Sequence, residues 1–271
     1  MSSGWSTHSI EMAADRIVKQ FRSCADDEHI REWRALTLLN QYSPDLAPAL
    51  LSADLSADPP VVIMSRLPGE PLRGGMVQPE QVHAMARTLA SMFDAIPVPV
   101  ASQLPSRLWS QGQVEEGIRS WAQALPADAP AAISSAVTEG LRWLDASRLR
   151  SCPQEAVPAV FGQADGNLAN FLWDGGRVRL VDFEDSGRSD RAYELADVTE
   201  HVAAWVDTEF DAELFLDHFQ LTKAEELRLS ECRRLFALMW LLALAREDPQ
   251  RRRNPPGTAE RHALRLQALL G

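Results

Sequence analysis

Of the 27 basic Lys and Arg residues in this 271-residue chain, only two are lysines, Lys19 and Lys223. Arginine carries positive charge almost everywhere, so a lysine inside an apolar, strand-like segment is singled out for a specific task. Lys19, in Arg16-Ile-Val-Lys19-Gln-Phe21, is such a residue. Cysteine is scarce too: Cys24, Cys152 and Cys232 form no Cys-x-x-Cys pair. That argues against a disulfide scaffold or a zinc site and points to a reducing cytoplasm. The N-terminus, Met-Ser-Ser-Gly-Trp-Ser, lacks a basic start followed by an apolar run, so no secretion signal is expected.

Long apolar runs are missing as well. The longest, Leu235 to Ala245, has eleven residues, whereas a membrane-spanning helix needs about 20. It reads as a buried core helix, and a membrane is not an expected partner. The net charge of −11 argues against nucleic acid as a partner. The same acidic balance suits a cationic substrate. There is no repeat, no Gly-x-Ser-x-Gly elbow and no His-Glu-x-x-His, and the six histidines are scattered.

Hydrophobic residues make up 45% of the chain, enough to bury a sizeable core in one large domain or two unequal lobes. Residues 1–28 read as loop, strand (Arg16–Phe21), loop. Asp26-Asp27-Glu28 supplies caps for a helix over about His29–Gln41, with Ile30, Trp33, Leu36 and Leu39 on its inward stripe. Ser43-Pro44 stops it. Leu50–Leu55 and Val61–Met64 read as strands separated by Pro59-Pro60. After Leu67-Pro-Gly-Glu-Pro71, helices are expected at about 79–95, 106–124, 131–147, 190–206, 211–219, 222–246 and 258–270. Pro126–Pro130 and Arg251–Pro256 are linkers by composition. The basic triplet Arg251-Arg252-Arg253 fits a solvated loop. The plan is α+β: a small β-rich N-terminal lobe over 1–66 and a large helical lobe over 67–271. Residues 163–185 are the one clear β insertion in the second lobe.

That insertion carries the chemistry. Asn170-Phe-Leu-Trp173 and Arg177-Val-Arg-Leu-Val-Asp182 flank Asp174-Gly175-Gly176, a tight-turn signal. Folding about the glycines brings Asn170 nearly opposite Asp182. Opposed residues in antiparallel strands have α-carbons roughly 5 Å apart. A carboxylate and an amide oxygen so placed suit magnesium, which takes oxygen ligands and shares them with substrate phosphates. Asp165 precedes the hairpin by a short loop and can accept the proton of an attacking hydroxyl. Glu184 and Asp185 add negative charge that a cation would relieve.

The segment resembles the aminoglycoside phosphotransferase and choline kinase-like family, relatives of the protein kinases. That family carries His-Gly-Asp-x4-Asn, then Ile-Asp-Phe or Ile-Asp-Trp, often followed by Glu. This chain has Gln163-Ala164-Asp165-x4-Asn170 and Val181-Asp182-Phe183-Glu184, and its Ser189-Asp-Arg-Ala-Tyr193-Glu-Leu-Ala196 is similar to the family's Gly-Asp-Pro-Ala-Tyr-Asp-Leu-Ala. The resemblance implies a protein-kinase-like two-lobe fold that uses ATP and Mg2+. It implies that Asp165 is the catalytic base, that Asn170 and Asp182 bind magnesium, and that Glu194 braces the catalytic loop. It puts Lys19 on the α- and β-phosphates with Glu32 as its helix partner. It also puts backbone groups of Met64, Ser65 and Arg66 near adenine. Gln163 stands where the family has His, and Ala164 where it has Gly. Ser3-Gly4-Trp-Ser-Thr-His8 resembles the phosphate-covering loop, with the strand that normally precedes it shortened or absent.

Only seven residues separate Asp182 from Asp190, where a helix is expected. That leaves no room for the long activation segment with which protein kinases hold peptides, so the expected acceptor is a hydroxyl of a small molecule. Glu200, His201, Asp207 and Glu209 are candidate contacts for it. An aminoglycoside or another amine-bearing antibiotic fits the charge and the resemblance. Choline, homoserine or a sugar fits the family too. A nucleotide-binding pseudokinase is the rival from a different class, favoured by Gln163 and opposed by the intact Lys19, Asp165, Asn170 and Asp182.

Overall fold

The structure, a computed structural model, describes residues 8–22, 25–149, 157–248 and 253–271. Cys24, Cys152, Arg251, Arg252 and the Ser3–Thr7 part of the glycine-containing loop lie outside the described residues.

The N-terminal region forms one antiparallel sheet. Its strands are β1 (Ser9–Met12), β2 (Arg16–Gln20), β3 (Leu50–Asp54) and β4 (Val61–Ser65), in the order β1-β2-β4-β3. Between β2 and β3 runs helix α1 (Glu28–Tyr42). β1 corrects the sequence expectation of a loop before Arg16. Its apolar residues Ile10 and Met12 are exposed on an edge strand, so alternation gave no inward signal. Alternation on β2 turns Lys19 inward, towards Phe21, while its neighbour Gln20 is exposed. On α1 the buried residues are His29, Glu32, Ala35, Leu36 and Leu39, and Trp33 is exposed. The inward face is thus rotated from the expected stripe so that it includes Glu32. The expected cap also differs: Asp26 and Asp27 take left-handed backbone conformations, and Asp27 makes no side-chain cap bond.

The chain continues through two short strands, β5 (Glu70–Pro71) and β6 (Gly75–Met76), into α2 (Pro79–Ala95), α3 (Val98–Ala101), α4 (Gln111–Gln123) and α5 (Ala131–Ala146). Then come β7 (Ala159–Gly162), β8 (Phe171–Trp173), β9 (Val178–Leu180), β10 (Gly187–Asp190), α6 (Arg191–Glu200), β11 (Thr208–Glu209), α7 (Ala212–Leu216), α8 (Lys223–Ala245) and α9 (Thr258–Leu270). Segment 163–185 is therefore not the one β insertion: β10 pairs with β7, β11 with β6, and β5 with the β8–β9 hairpin. The helix expected at 106–124 starts at Gln111. The one expected at 190–206 ends at Glu200, with a 3-10 turn over Val202–Ala204 beyond it.

Two apolar cores fix these parts. One runs from Phe21, Leu36 and Val62 through Met85 and Leu89 to Phe171, Leu180 and Phe183. It packs the sheet, α1, α2 and the hairpin against each other. The other gathers α4, α5, α8 and α9 around Ile118, Val137, Phe236, Leu238 and Leu266. The apolar run of α8 is the buried core helix its length implied: Leu235, Phe236, Ala237 and Leu238 are fully covered. Thr222 and Glu225 form a reciprocal capping box at its start. Among the described residues no helix is long and apolar enough to cross a membrane.

Candidate active site

The β8–β9 hairpin pairs Phe171 with Leu180 and Trp173 with Val178. Its turn is held by Asp174, whose Oδ1 accepts the Gly176 and Arg177 N–H groups at 3.1 and 2.9 Å. Asn170 faces Val181 rather than Asp182, joined through the Val181 N–H to Asn170 O bond of 3.1 Å. Asp182 comes one residue later, with φ of 65°. The expected register was off by one because the strand ends at Leu180 and the backbone turns before the acid.

Lys19 reaches Asp182 across the fold. Its Nζ lies 2.5 Å from Asp182 Oδ1, 2.6 Å from Glu184 Oε2 and 3.0 Å from Glu32 Oε2. Glu32 Oε2 also accepts the Phe183 N–H at 2.9 Å, so α1 is tied to the segment that carries Asp182. Burial alone would lower the Lys19 ammonium pKa, but these carboxylates outweigh it and hold it well above the usual lysine range. Burial pushes the Glu184 carboxyl up to about 8, with the Asp182 charge adding to it. The sequence reading gave Glu184 no separate role, yet it stands beside both Asp182 and Lys19.

The segment from Gln163 to Asn170 is fixed from several sides. Asp165 Oδ1 accepts the Asn167 N–H at 3.0 Å, and Oδ2 accepts Asn170 Nδ2 at 2.7 Å. The Asp165 pKa is raised by burial and then by the Asp182 charge. Gln163 donates from Nε2 to Val181 O at 2.7 Å, tying the loop to the end of the hairpin. Glu194 Oε2 accepts the Ala164 N–H at 3.1 Å. Ala164 has φ of 72°, a left-handed conformation costly for a residue with a Cβ. Gly162 meets a different constraint: a Cβ there would lie 2.7 Å from the Ser189 Cβ and collide with the Glu194 carboxylate.

Arg107, which sequence reasoning missed, organises this region. It is buried, with Nη1 2.6 Å from Glu194 Oε1 and Nη2 2.6 Å from Asp197 Oδ2. Nη2 also donates to Ala164 O at 2.9 Å. No local pattern marks an arginine between two helices as the partner of residues nearly ninety positions away.

A cavity of about 340 Å3 opens beside Asp165. Asp165, Glu184, Asp185 and His201 form its polar side, and Trp109, Trp121 and Trp240 its aromatic side. Burial and then the Asp165 charge push the Asp185 carboxyl up to about 7. Trp109 also has a left-handed backbone, φ 54°, and its carbonyl accepts the Tyr193 hydroxyl at 2.8 Å. Of the candidate substrate contacts, only His201 lines this cavity. Glu200 is buried and paired with Arg233 at 2.7 Å and Arg265 at 3.2 Å, which corrects its assignment as a contact. Glu209 lies in β11, paired with β6.

Magnesium fits the donors present. Asn170 spends its Nδ2 on Asp165, which leaves the amide oxygen. Asp182 is 40% exposed at its side chain, and both are hard oxygen ligands. The adenine expectation meets a constraint. The Ser65 N–H already bonds Ala49 O at 2.8 Å and the Arg66 N–H bonds Asp15 O at 2.9 Å.

A lysine, an amide and several carboxylates thus gather at one edge of this cavity, and the comparisons give the class of the chain that carries them. The chain matches the phosphotransferase enzyme family (APH) over residues 1–232 and belongs to that family. No curated protein matches it in sequence. Among solved structures it is similar to a choline/ethanolamine kinase family protein from Mesorhizobium loti, at 19% identity and a TM-score of 0.66 over 98% of this chain and 86% of that one. Choline kinase LicA from Streptococcus pneumoniae is similar at 16% identity and 0.63, over 100% and 91%. Spectinomycin phosphotransferase APH(9)-Ia, solved with ADP and spectinomycin, is similar at 12% identity and 0.64, over 98% and 92%. The fold is the α+β, protein-kinase-like fold of these proteins, and the chain is a small-molecule kinase with a hydroxyl acceptor.

Proposed function

We propose that this protein transfers the γ-phosphoryl group of ATP to a hydroxyl of a small amine-bearing molecule, with Asp165 as the base. The observation that carries this is Lys19 held between Glu32 and Asp182 while Asp165, bonded to Asn170, faces the cavity.

In this reading Asp165 takes the hydroxyl proton as the acceptor oxygen bonds to the γ-phosphorus. The bond from that phosphorus to the β-phosphate bridging oxygen breaks, and ADP leaves. Lys19 neutralises charge on the α- and β-phosphates, and Glu32 keeps it in place. Asp182 and the Asn170 amide oxygen would hold magnesium, which supplies charge neutralisation on the phosphates. Residues 1–66 form the nucleotide lobe and 67–271 the acceptor lobe. With the Ser65 and Arg66 N–H groups engaged, adenine would meet carbonyls of Met64–Arg66 or backbone just beyond them.

The cavity supports an amine-bearing acceptor. A cation beside Asp165 and Asp185 favours their charged forms and meets the faces of Trp109, Trp121 and Trp240, gaining both Coulomb and cation–π attraction. An aminoglycoside or another antibiotic fits that description, as does a choline-like amino alcohol. From Asp182 the chain runs into β10 and then into α6, capped by Asp190 accepting the Tyr193 N–H at 3.0 Å. That path leaves no platform for a peptide. The test is transfer of labelled phosphate from ATP, with and without magnesium, to a panel of choline, ethanolamine, spectinomycin and gentamicin. Magnesium-dependent transfer to one of them is expected. Tight nucleotide binding with no transfer to any acceptor would favour the pseudokinase.

A further inference from the structure

His201 is placed beside Asp165 and has a defined tautomer. It follows α6, where its backbone N–H bonds Asp197 O at 2.9 Å. Its Nδ1 accepts the Ala203 N–H at 3.0 Å, so in the neutral ring the proton sits on Nε2. The ring is held edge-on to Trp240, with centroids 4.6 Å apart and planes at 74°. His201 lines the cavity with Asp165, and its Nε2 lies 3.6 Å from Asp165 Oδ1. That separation is too long for a good direct hydrogen bond, yet one oxygen atom can stand about 2.8 Å from both. Burial lowers the imidazole pKa to about 4, so the ring stays neutral with a single outward donor near neutral pH.

We propose that His201 holds the acceptor hydroxyl together with Asp165: Nε2–H donates to the hydroxyl oxygen while the hydroxyl proton points at Asp165. The inference rests on the phosphotransfer reading and adds a residue that no family motif marks. The bookkeeping of the oxygen closes. One lone pair accepts from His201, the other forms the bond to γ-phosphorus, and the proton passes to Asp165 as the bond to ADP breaks. His201 itself transfers no proton. Its task is to aim the attacking lone pair, which is worth rate only when the acceptor is bound.

The test is His201→Asn. Asparagine can still accept the Ala203 N–H, as Asn does at helix N-termini, but it has no group in place of Nε2. The readouts are hydrolysis of Mg-ATP by water and transfer to choline, ethanolamine, spectinomycin and gentamicin, with KM for Mg-ATP and the melting temperature measured alongside. Losing one aimed hydrogen bond should lower kcat/KM for the acceptor by about 10- to 100-fold while KM for Mg-ATP stays within about twofold. Acceptor kcat/KM unchanged in His201→Asn would overturn the inference. A parallel fall in Mg-ATP affinity and melting temperature would also overturn it, by reducing His201 to a scaffold role. Asp165→Asn separates the two levels: if it transfers phosphate as well as the wild type, Asp165 is not the base and the pairing of His201 with it falls too, whereas no transfer by the wild type to any acceptor removes the phosphotransfer reading itself. If it is strongly impaired while His201→Asn keeps the wild-type kcat/KM for the acceptor, only the role of His201 falls.

Discussion

Lys19 and Asp182, 163 positions apart in the chain, meet with Nζ 2.5 Å from Oδ1. One belongs to the sheet and the other to the end of the hairpin, so this contact joins the group assigned to phosphate with the group assigned to metal. Glu32 holds the same ammonium and also the Phe183 backbone, which makes α1 the element that keeps both in register.

Replacing that lysine should therefore hurt nucleotide use first. Lys19→Met is expected to lower kcat/KM for Mg-ATP by about 100-fold or more, the scale seen when a preorganised charge is removed from a transferring group. Steady-state kinetics at varied Mg-ATP checks it. Unchanged kinetics would detach Lys19 from the phosphates.

Arg107 predicts a different loss. Removing its guanidinium in Arg107→Met leaves the Glu194 and Asp197 carboxylates buried without their partner. Breaking a buried pair in this way costs about 3–5 kcal/mol. Urea unfolding at neutral pH should show that loss, and a change within about 1 kcal/mol would mean the carboxylates find other partners.

Ala164 stands where its relatives' motif has glycine, and it keeps the left-handed backbone that glycine adopts freely. The conformation costs about 1–2 kcal/mol for a residue with a Cβ. Glycine gives back about 0.4–1 kcal/mol through the unfolded chain. Ala164→Gly should accordingly be neutral or stabilising by up to about 1.6 kcal/mol in thermal unfolding, with activity kept. A clear destabilisation would contradict the strain assigned here.

Most of the helical plan was legible in the sequence. α2, α5, α8 and α9 fall within a residue or two of their expected limits because Pro, Gly and capping residues mark their ends. The hairpin and the acids around it were legible through Asp174-Gly-Gly. Three kinds of feature were not. β1 carries its apolar residues outward, and β5, β6 and β11 are two residues long, too short for any periodicity. Arg107 and the aromatic wall are assembled by packing between distant helices. Glu200 looked free for substrate, yet two arginines from α8 and α9 bury it.

His262 gives a pH prediction. It is fully buried, stacked at 5.2 Å on Trp205, and hydrogen-bonded through Nε2 to Ala237 O at 2.9 Å. Burial moves its pKa from 6.5 down to about 3. Below pH 6.5 the unfolded chain binds a proton there that the folded protein refuses until about pH 3, so stability rises with pH across that window. One such proton is worth about 1.4 kcal/mol per pH unit. Denaturant titrations along that range should give a shallower slope for His262→Phe, by about one proton, than for the wild type. An equal slope in both would assign the acid sensitivity elsewhere.

The central claim is that Asp165 serves a hydroxyl acceptor in phosphoryl transfer. Its most direct test is the rate of magnesium-dependent phosphate transfer by Asp165→Asn, with Mg-ATP binding measured on the same sample. The amide keeps the shape but cannot take the proton, so kcat should fall by about 10²- to 10⁴-fold while Mg-ATP still binds. Turnover equal to that of the wild type would contradict the account.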